Sequence, residues 1–211
     1  MSRLILIRHG QSTWNELGQW TGLTNVDLTA KGEAEAQAAG EMVKQALAGQ
    51  HLHRAYSSAL KRAYRTAQLA LAAAGQPDLE ITQNPALNER DYGELTGKNK
   101  WKVKAEFGDD QFTAWRRSWD EPIPGGETLK DVYERVVPYY QSIIIKDLKA
   151  NQNVLISSHG NTLRALTKYL DNLSETEVEK LEIGTGQAIV YDVNAEGRVV
   201  SKQVLTAGGH A

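Results

Sequence analysis

The sequence predicts an α/β fold: a mostly parallel sheet with helices on both faces and a small, basic, helical flap inserted into it. Three observations carry that expectation. Strand-like and helix-like segments alternate along most of the 211 residues, the pattern that gives a parallel sheet covered by its crossover helices. Two short apolar runs, Leu4-Ile5-Leu6-Ile7 and Val154-Leu155-Ile156, read as buried strands, and each runs into a His-Gly pair, His9-Gly10 and His159-Gly160. Residues 87–126 break the alternation with a polar stretch, then a basic and aromatic one. The length suits a single domain, 1–211, with that stretch as its elaboration.

The elements follow in order. The first strand is closed by Gly10. Residues 11–27 mix Trp14, Asn15, Gly18, Trp20, Gly22 and Asn25 without a period, so a long ordered loop is expected, and such loops usually carry function. Thr29 is an N-cap candidate for a helix to about Ala48, with Ala39, Met42, Val43 and Ala46 as its apolar stripe. A short strand is expected at 54–57. A helix from Ser58 to Ala74 should follow, ended by Gly75 and carrying Arg62 in its first turn, and then a strand at 79–82.

In the flap, Lys98, Lys100, Trp101, Lys102 and Lys104 precede Trp115-Arg116-Arg117 and Trp119, and Pro122, Pro124, Gly125 and Gly126 close it. A helix from Thr128 to Leu148 should present Leu129, Val132, Tyr133, Val136, Tyr140, Ile143 and Ile144 on one face, with Pro138 kinking it or marking a boundary. The second His-Gly strand, at 153–157, leads to a helix from Thr162 to Leu170, and Ser174 caps another. Strands at 188–193 and 198–204 are joined by a turn at 194–197, and Thr206–Ala211 form a small Gly-rich tail.

Composition narrows the function classes. A net charge of −2 gives no reason to expect nucleic acid or an anionic membrane as partner. With no cysteine, disulfides, thiolate catalysis and cysteine-ligated metal are excluded. No apolar run approaches the roughly 20 residues needed to span a bilayer, and the chain enters its first strand at once, so neither a signal peptide nor a membrane anchor is expected.

Two strands that each end in His-Gly can bring two imidazoles to the C-terminal rim of a parallel sheet, where such folds bind ligands. A neutral imidazole is a good nucleophile for a phosphoryl group. Arg8 and Arg62 are suited to grip phosphate oxygens with forked hydrogen bonds, and their charge should hold His9 neutral. Backbone N–H groups of the Gly10–Ser12 turn add fixed donors. His159 is placed to stabilise the transferring group, and Glu89 to act as general acid and base. Each residue alone has a plainer reading: a turn histidine, an exposed helix arginine, a solvated glutamate. The pairing of the two His-Gly turns, the first preceded by arginine, favours the chemical one. Two histidines also suggest metal, but no third ligand has suitable spacing. The basic flap reads as an anion site, an ordinary solvated face or a nucleic-acid patch, and the near-neutral charge counts against the last. His51, His53 and His210 read as structural or surface residues.

Arg8-His9-Gly10-Gln11-Ser12-Thr13-Trp14-Asn15 resembles the signature of the histidine phosphatase superfamily. Thr21-Gly22, Leu60-Lys61-Arg62-Ala63, Leu87-Asn88-Glu89-Arg90-Asp91-Tyr92-Gly93, Trp115-Arg116-Arg117 and the run from Ser158 to Leu166 resemble one branch of it, the cofactor-dependent phosphoglycerate mutases. The resemblance implies the fold of those enzymes and interconversion of 3-phosphoglycerate and 2-phosphoglycerate through a phosphohistidine, primed by 2,3-bisphosphoglycerate, without metal, in cytoplasmic glycolysis and gluconeogenesis. It implies His9 as nucleophile and Glu89 as proton donor and acceptor. Arg8, Asn15, Arg62, His159 and the Gly160 backbone would hold the moving phosphoryl group. Ser12, Thr21, Gly22, Tyr92, Lys100, Arg116, Arg117 and Asn161 would hold the rest of a small phosphorylated three-carbon acid. Arg116 and Arg117 are adjacent, so a regular helix splays them by about 100°; they reach different ligand groups, or one pairs with a protein carboxylate.

Gln11 and Leu23 depart from the commoner pattern of relatives. The link between Trp119 and Thr128 is shorter than in long members, where it supports subunit contacts, so a monomer or weak homodimer is expected. A short tail implies imperfect water exclusion and some phosphatase leakage. Two rivals stand beside the mutase: a histidine-type phosphatase acting on a small phosphorylated metabolite, and a catalytically silent phospho-ligand binder.

Overall fold

Six strands, β1 (Ser2–Arg8), β2 (Arg54–Ser57), β3 (Ile81–Gln83), β4 (Val154–Ser158), β5 (Ala188–Val193) and β6 (Val199–Leu205), form one sheet in the order β3-β2-β4-β1-β5-β6. The computed structural model describes residues 1–206; the rest of the Gly-rich tail, His210 included, lies outside the described residues. β3, β2, β4 and β1 run parallel; β5 runs antiparallel to β1, and β6, at the edge, antiparallel to β5. The sheet is therefore mixed and mostly parallel. β5 and β6 are a hairpin turned at Asn194–Gly197, where Gly197 supplies the positive φ of 81° that the turn needs.

Both faces are covered, and β1 shows why. Its side chains alternate: Leu4 and Leu6 face one helical layer, Ile5 and Ile7 the other, and all four are fully buried. On the Ile5 side lie α2 (Ala30–Leu47) and α3 (Lys61–Ala73), packed through Ala39, Val43, Leu47, Ala67, Ala70 and Leu71. On the Leu4 side lie α5 (Leu129–Tyr139), α6 (Ile145–Lys149), α7 (Gly160–Leu170) and α8 (Glu175–Lys180), through Leu129, Val132, Val136, Leu163, Leu166 and Val178.

The caps behave as physics requires. Thr29 accepts the Gly32 N–H at the head of α2, Thr128 and Asp131 form a capping box on α5, and Ser174 and Glu177 form one on α8. Departures from expectation have local causes. The loop at 11–27 contains a short helix, α1 (Thr13–Glu16), capped by Ser12. α3 starts at Lys61, after an extended Leu60, and β3 lies at 81–83. α7 begins at Gly160 with His159 as its N-cap, earlier than the apolar period suggested. Pro138 does not end its helix. It has no N–H to donate, and past it the chain widens into a π-turn at Tyr140–Ile144. The extra residue in that turn shifts the apolar face, so Ile144 is buried while Ile143 is 42% exposed.

The flap has its own small core. α4 (Lys100–Arg117) is interrupted at Gly108 and buries Val103, Phe112 and Trp115 against Leu95 and Ile123. Trp20, from the loop after β1, completes this cluster. The stretch 87–126 is thus anchored by a residue outside it, and Lys98, Trp101 and Lys102 are exposed on it.

The loop that follows His9 passes directly over α2. A Cβ added to Gly32 would lie 2.0 Å from the Gln11 carbonyl oxygen, and one added to Gly10 would lie 2.0 Å from the Gly32 oxygen. Backbone meets backbone, so no side chain can yield. Gly32→Ala is expected to cost about 3 kcal/mol, read as a fall in Tm of roughly 6–12 °C. A thermal melt shifted by less than about 2 °C would show that the loop and helix separate freely.

Candidate active site

Three neighbouring parallel strands, β2, β4 and β1, end at the same rim. The register pairs Ser57 with Ser157 and Arg8 with Ser158, so Ser58, His159 and His9 follow side by side. His9 is tied to β4 by its N–H, which donates to the Ser158 carbonyl at 2.9 Å. The two imidazoles stand edge to face with centroids 4.9 Å apart, His9 2% and His159 0% exposed.

Hydrogen bonding fixes the state of His9. Its Nδ1 lies 2.7 Å from the Gly10 carbonyl oxygen. A carbonyl only accepts, so Nδ1 carries the proton and Nε2 carries the free lone pair. Burial, then the charges of Arg62 and Arg8, push the His9 pKa well below the ordinary histidine value. His159 is pushed down likewise, by burial first and then by Arg62, His9 and Arg8. Desolvation, more than the guanidinium charge the sequence suggested, keeps both rings neutral.

The cations around them are held by carbonyls. Arg8 donates from one terminal nitrogen to Ile183 O at 2.6 Å. Arg62 donates to Thr24 O at 2.9 Å and Gly22 O at 2.8 Å. Both Nε atoms are buried without a partner, as are His159 Nδ1 and Thr21 Oγ1. Burial lowers the Arg62 pKa to about 10, which leaves it charged at neutral pH.

Glu89 receives Arg90 N–H at 2.9 Å, Asn161 N–H at 3.2 Å and Asn161 Nδ2 at 3.3 Å, all on Oε1. Oε2 is left for a ligand proton. The Tyr92 hydroxyl accepts from Asn161 Nδ2 at 2.7 Å, and burial followed by Glu89 raises its pKa.

The cleft has two lobes. The inner one, about 60 Å³, is lined by His9, Asn15, Thr21, Gly22 and Arg62. The outer one, about 210 Å³, is lined by Trp20, Arg116, Arg117, Gly160, Asn161, Arg164 and Glu182. Arg8, Glu89, Tyr92 and Lys100 border both. Burial, then Arg116 and Arg8, lower Lys100 to a pKa of about 8. Of the adjacent arginines, Arg117 pairs with Glu182, while Arg116 lies over the Phe112 ring with its guanidinium carbon 5.3 Å from the centroid.

Three expected residues stand behind the lining: His159, Gly10 and Ser12. Gly10 supplies the carbonyl that orients His9 and packs on Gly32. Ser12 is fully buried, donating to Asn15 Oδ1 at 2.9 Å, and acts on Asn15 from within. His53 accepts the Asn153 N–H on its Nδ1, a structural contact remote from the rim.

Sequence reasoning missed four supporting residues. Arg164 donates to Asn161 Oδ1 at 2.9 Å, Arg117 O at 2.9 Å and Val178 O at 2.8 Å. Arg90 reaches Trp115 O, and Arg135 reaches Glu89 O. Ser58 meets His159 at 2.7 Å. The available signal was an arginine inside an otherwise apolar helix face, as at Arg164; the serine offered none.

The profile of the histidine phosphatase superfamily (branch 1) matches residues 4–206. Among curated proteins, the chain is 48% identical over 208 residues to a 2,3-bisphosphoglycerate-dependent phosphoglycerate mutase of Brucella canis, covering 98% of this chain and 100% of the relative. It is 48% identical over 206 residues to the protein of that name from Mesorhizobium japonicum, covering 97% and 99%. Among solved structures, a mycobacterial glucosyl-3-phosphoglycerate phosphatase superposes with a TM-score of 0.81 at 23% identity over 97% of each chain, which shows a shared fold.

Two imidazoles held neutral by the fold make stability depend on pH. An unfolded chain protonates them near pH 6.5, and the folded chain resists, so the unfolded state binds more protons and stability falls as pH falls. For each imidazole the expected slope approaches about 1.4 kcal/mol per pH unit well below about pH 6.5 and averages about 0.8 kcal/mol per unit between about pH 7 and about pH 5.5. Urea unfolding between about pH 7 and about pH 5.5 measures it, and His9→Asn should roughly halve it. A stability independent of pH across that window would show that the rings are charged in the fold.

Proposed function

The chain belongs to the histidine phosphatase superfamily and, within it, to the 2,3-bisphosphoglycerate-dependent phosphoglycerate mutases; on that premise we propose that it interconverts 3-phosphoglycerate and 2-phosphoglycerate through a phosphohistidine on His9. The observation that carries the reading is the second cationic lobe. A ligand held by Arg62 in the inner lobe meets Arg116 in the outer one, with Arg8 and Lys100 bordering both, an arrangement that suits a molecule with two separated anionic groups.

On this reading the side chains share the chemistry. His9 Nε2 attacks phosphorus, a P–N bond forms, and the P–O bond to the leaving oxygen breaks. Glu89 Oε2 gives that oxygen its proton. In the reverse direction Glu89 takes the proton of an attacking hydroxyl as the P–N bond breaks. Arg8, Arg62 and His159 stabilise the negative charge of the transferring group. The buried, unpartnered Nε atoms of Arg8 and Arg62 suit an anionic occupant, and 2,3-bisphosphoglycerate, when bound, supplies the phosphoryl group that primes His9. No helix among the described residues is long and apolar enough to cross a membrane, and a cytoplasmic place in glycolysis and gluconeogenesis goes with this reading.

The rival is hydrolysis, in which water takes the phosphoryl group from His9. Incubation with 3-phosphoglycerate, with and without catalytic 2,3-bisphosphoglycerate, separates the two by ³¹P NMR. The expected product is 2-phosphoglycerate, dependent on the primer and abolished in His9→Ala. Free phosphate as the main product from the outset would make the protein a phosphatase.

Lys100 gives a second test. Its pKa near 8 means that the free cleft loses a positive charge as pH rises through that value. Loss of one charged contact costs about 1.5–3 kcal/mol, or roughly 10- to 150-fold in affinity. Calorimetric titration with 3-phosphoglycerate should therefore show weakening binding from about pH 7 to about pH 9, and Lys100→Arg should remove the dependence. A flat wild-type profile would take Lys100 out of the ligand site.

A further inference from the structure

His159 must present a hydrogen-bond donor if it is to stabilise a transferring phosphoryl group, and a neutral imidazole has only one N–H. Which nitrogen carries it depends on the partner of the other. His159 Nε2 lies 2.7 Å from Ser58 Oγ, and Nδ1 is buried with no partner. Ser58 is fully buried, and its oxygen already accepts the Leu60 N–H at 3.2 Å.

The proton count has two solutions. If His159 Nε2–H donates to Ser58, the serine hydroxyl hydrogen has no acceptor and Nδ1 has no donor, so two buried polar groups are stranded. If the Ser58 hydroxyl donates to Nε2, the serine is satisfied on both sides and only Nδ1–H remains free. Stranded buried polar groups are rare in folded proteins, which selects the second arrangement.

We propose that Ser58 is a positioning residue that holds His159 in its Nδ1–H tautomer, so that Nδ1 is the atom that donates to the phosphoryl group. The serine acts through the ring and touches no substrate. Its location supports this: Ser58 follows β2 as His159 follows β4, and the two strands are paired in register. One hydroxyl thus transmits the relative position of β2 and β4 to the proton of a catalytic ring. The contrast with His9 is informative. That ring is also held Nδ1–H, but by its neighbour's carbonyl, and its bare Nε2 is the attacking atom. Both imidazoles carry the proton on Nδ1, one leaving Nε2 free to react and the other spending it on the serine.

The test uses the full chain with ¹⁵N-labelled histidine. In the wild type, His159 should give a protonated Nδ1 and a bare, hydrogen-bonded Nε2. In Ser58→Ala the His159 signals should move to a mixture of tautomers. The rate of His9 phosphorylation should fall about 10- to 100-fold with little change in KM, and Ser58→Thr, which keeps the hydroxyl, should restore both. A wild-type His159 protonated on Nε2 overturns the proposal, as does a folded Ser58→Ala with unaltered tautomer and rate. If Ser58→Ala does not fold, the wild-type spectrum and Ser58→Thr still decide. The kinetic arm rests on the phosphoryl-transfer reading above, while the tautomer does not: the expected spectrum in a protein that only hydrolyses phosphate would uphold Ser58 and overturn the mutase.

Discussion

Guanidinium groups buried against backbone carbonyls are the constraint on which this structure turns. Arg8 is held by Ile183 O, Arg62 by Gly22 O and Thr24 O, Arg90 by Trp115 O, and Arg164 by Arg117 O and Val178 O. A carbonyl dipole orients an arginine and satisfies its hydrogen, yet leaves its charge intact. A carboxylate in the same place would neutralise it and compete with an anionic ligand. Taking charge out of water without a counter-ion is costly, several kcal/mol per ion after relaxation. The carbonyls and Glu89 offset part of that cost, and a bound anion offsets more. The same desolvation that makes these cations expensive is the largest influence holding His9 neutral.

The arginines also explain how two lobes come to be contiguous. Arg164 stands in α7, the helix that His159 caps, and its guanidinium grips carbonyls at the C-terminal end of α4. Arg90, next to Glu89, grips Trp115 O in the same helix. The flap helix is thus fastened by its last turn to the elements that carry Glu89 and His159. Arg116 and Arg117 lie in that last turn, so their distance from His9 is set by buried bonds. Trp20 fastens the other side, since it leaves the loop after His9 to complete the flap core.

Much of this was legible in the sequence because the signals were local. The short apolar runs Leu4–Ile7 and Val154–Ile156, each leading to His-Gly, indicated that both imidazoles meet at one rim. Caps read at Thr29 and Ser174, and the helix start read at Thr128, fall within a residue of the observed starts. What stayed illegible depends on partners far away in the chain. Ser58 reads as the start of a helix, and only the register of β2 on β4 reveals its contact with a residue 101 positions on. Ser12 carries the hydroxyl of a ligand-binding residue but spends it capping α1. Ile143 obeys a helical period that the π-turn after Pro138 cancels. Trp20 sits in a loop by sequence and in the flap core by packing.

The fold does not choose between transfer and hydrolysis, since a phosphatase shares it; under the proposed function the difference lies in the outer lobe. Both reactions need a neutral nucleophile, a cationic cradle and an acid that becomes a base. They differ in what attacks the phosphohistidine. Water needs no holding, whereas a sugar-acid hydroxyl must be brought to the line of attack. Well-oriented intramolecular groups can reach effective concentrations on the order of 10⁵ M or more, so a hydroxyl anchored at its far end outcompetes a mobile water. Anchoring requires charge at a distance from His9, and Arg116 in the outer lobe, with Lys100 between the two lobes, is suited to supply it. Arg117 is partly withdrawn from that task by Glu182, which lines the same lobe. That carboxylate shares one of the lobe's cations with any anionic occupant, whereas Arg116 has no carboxylate partner among the described residues.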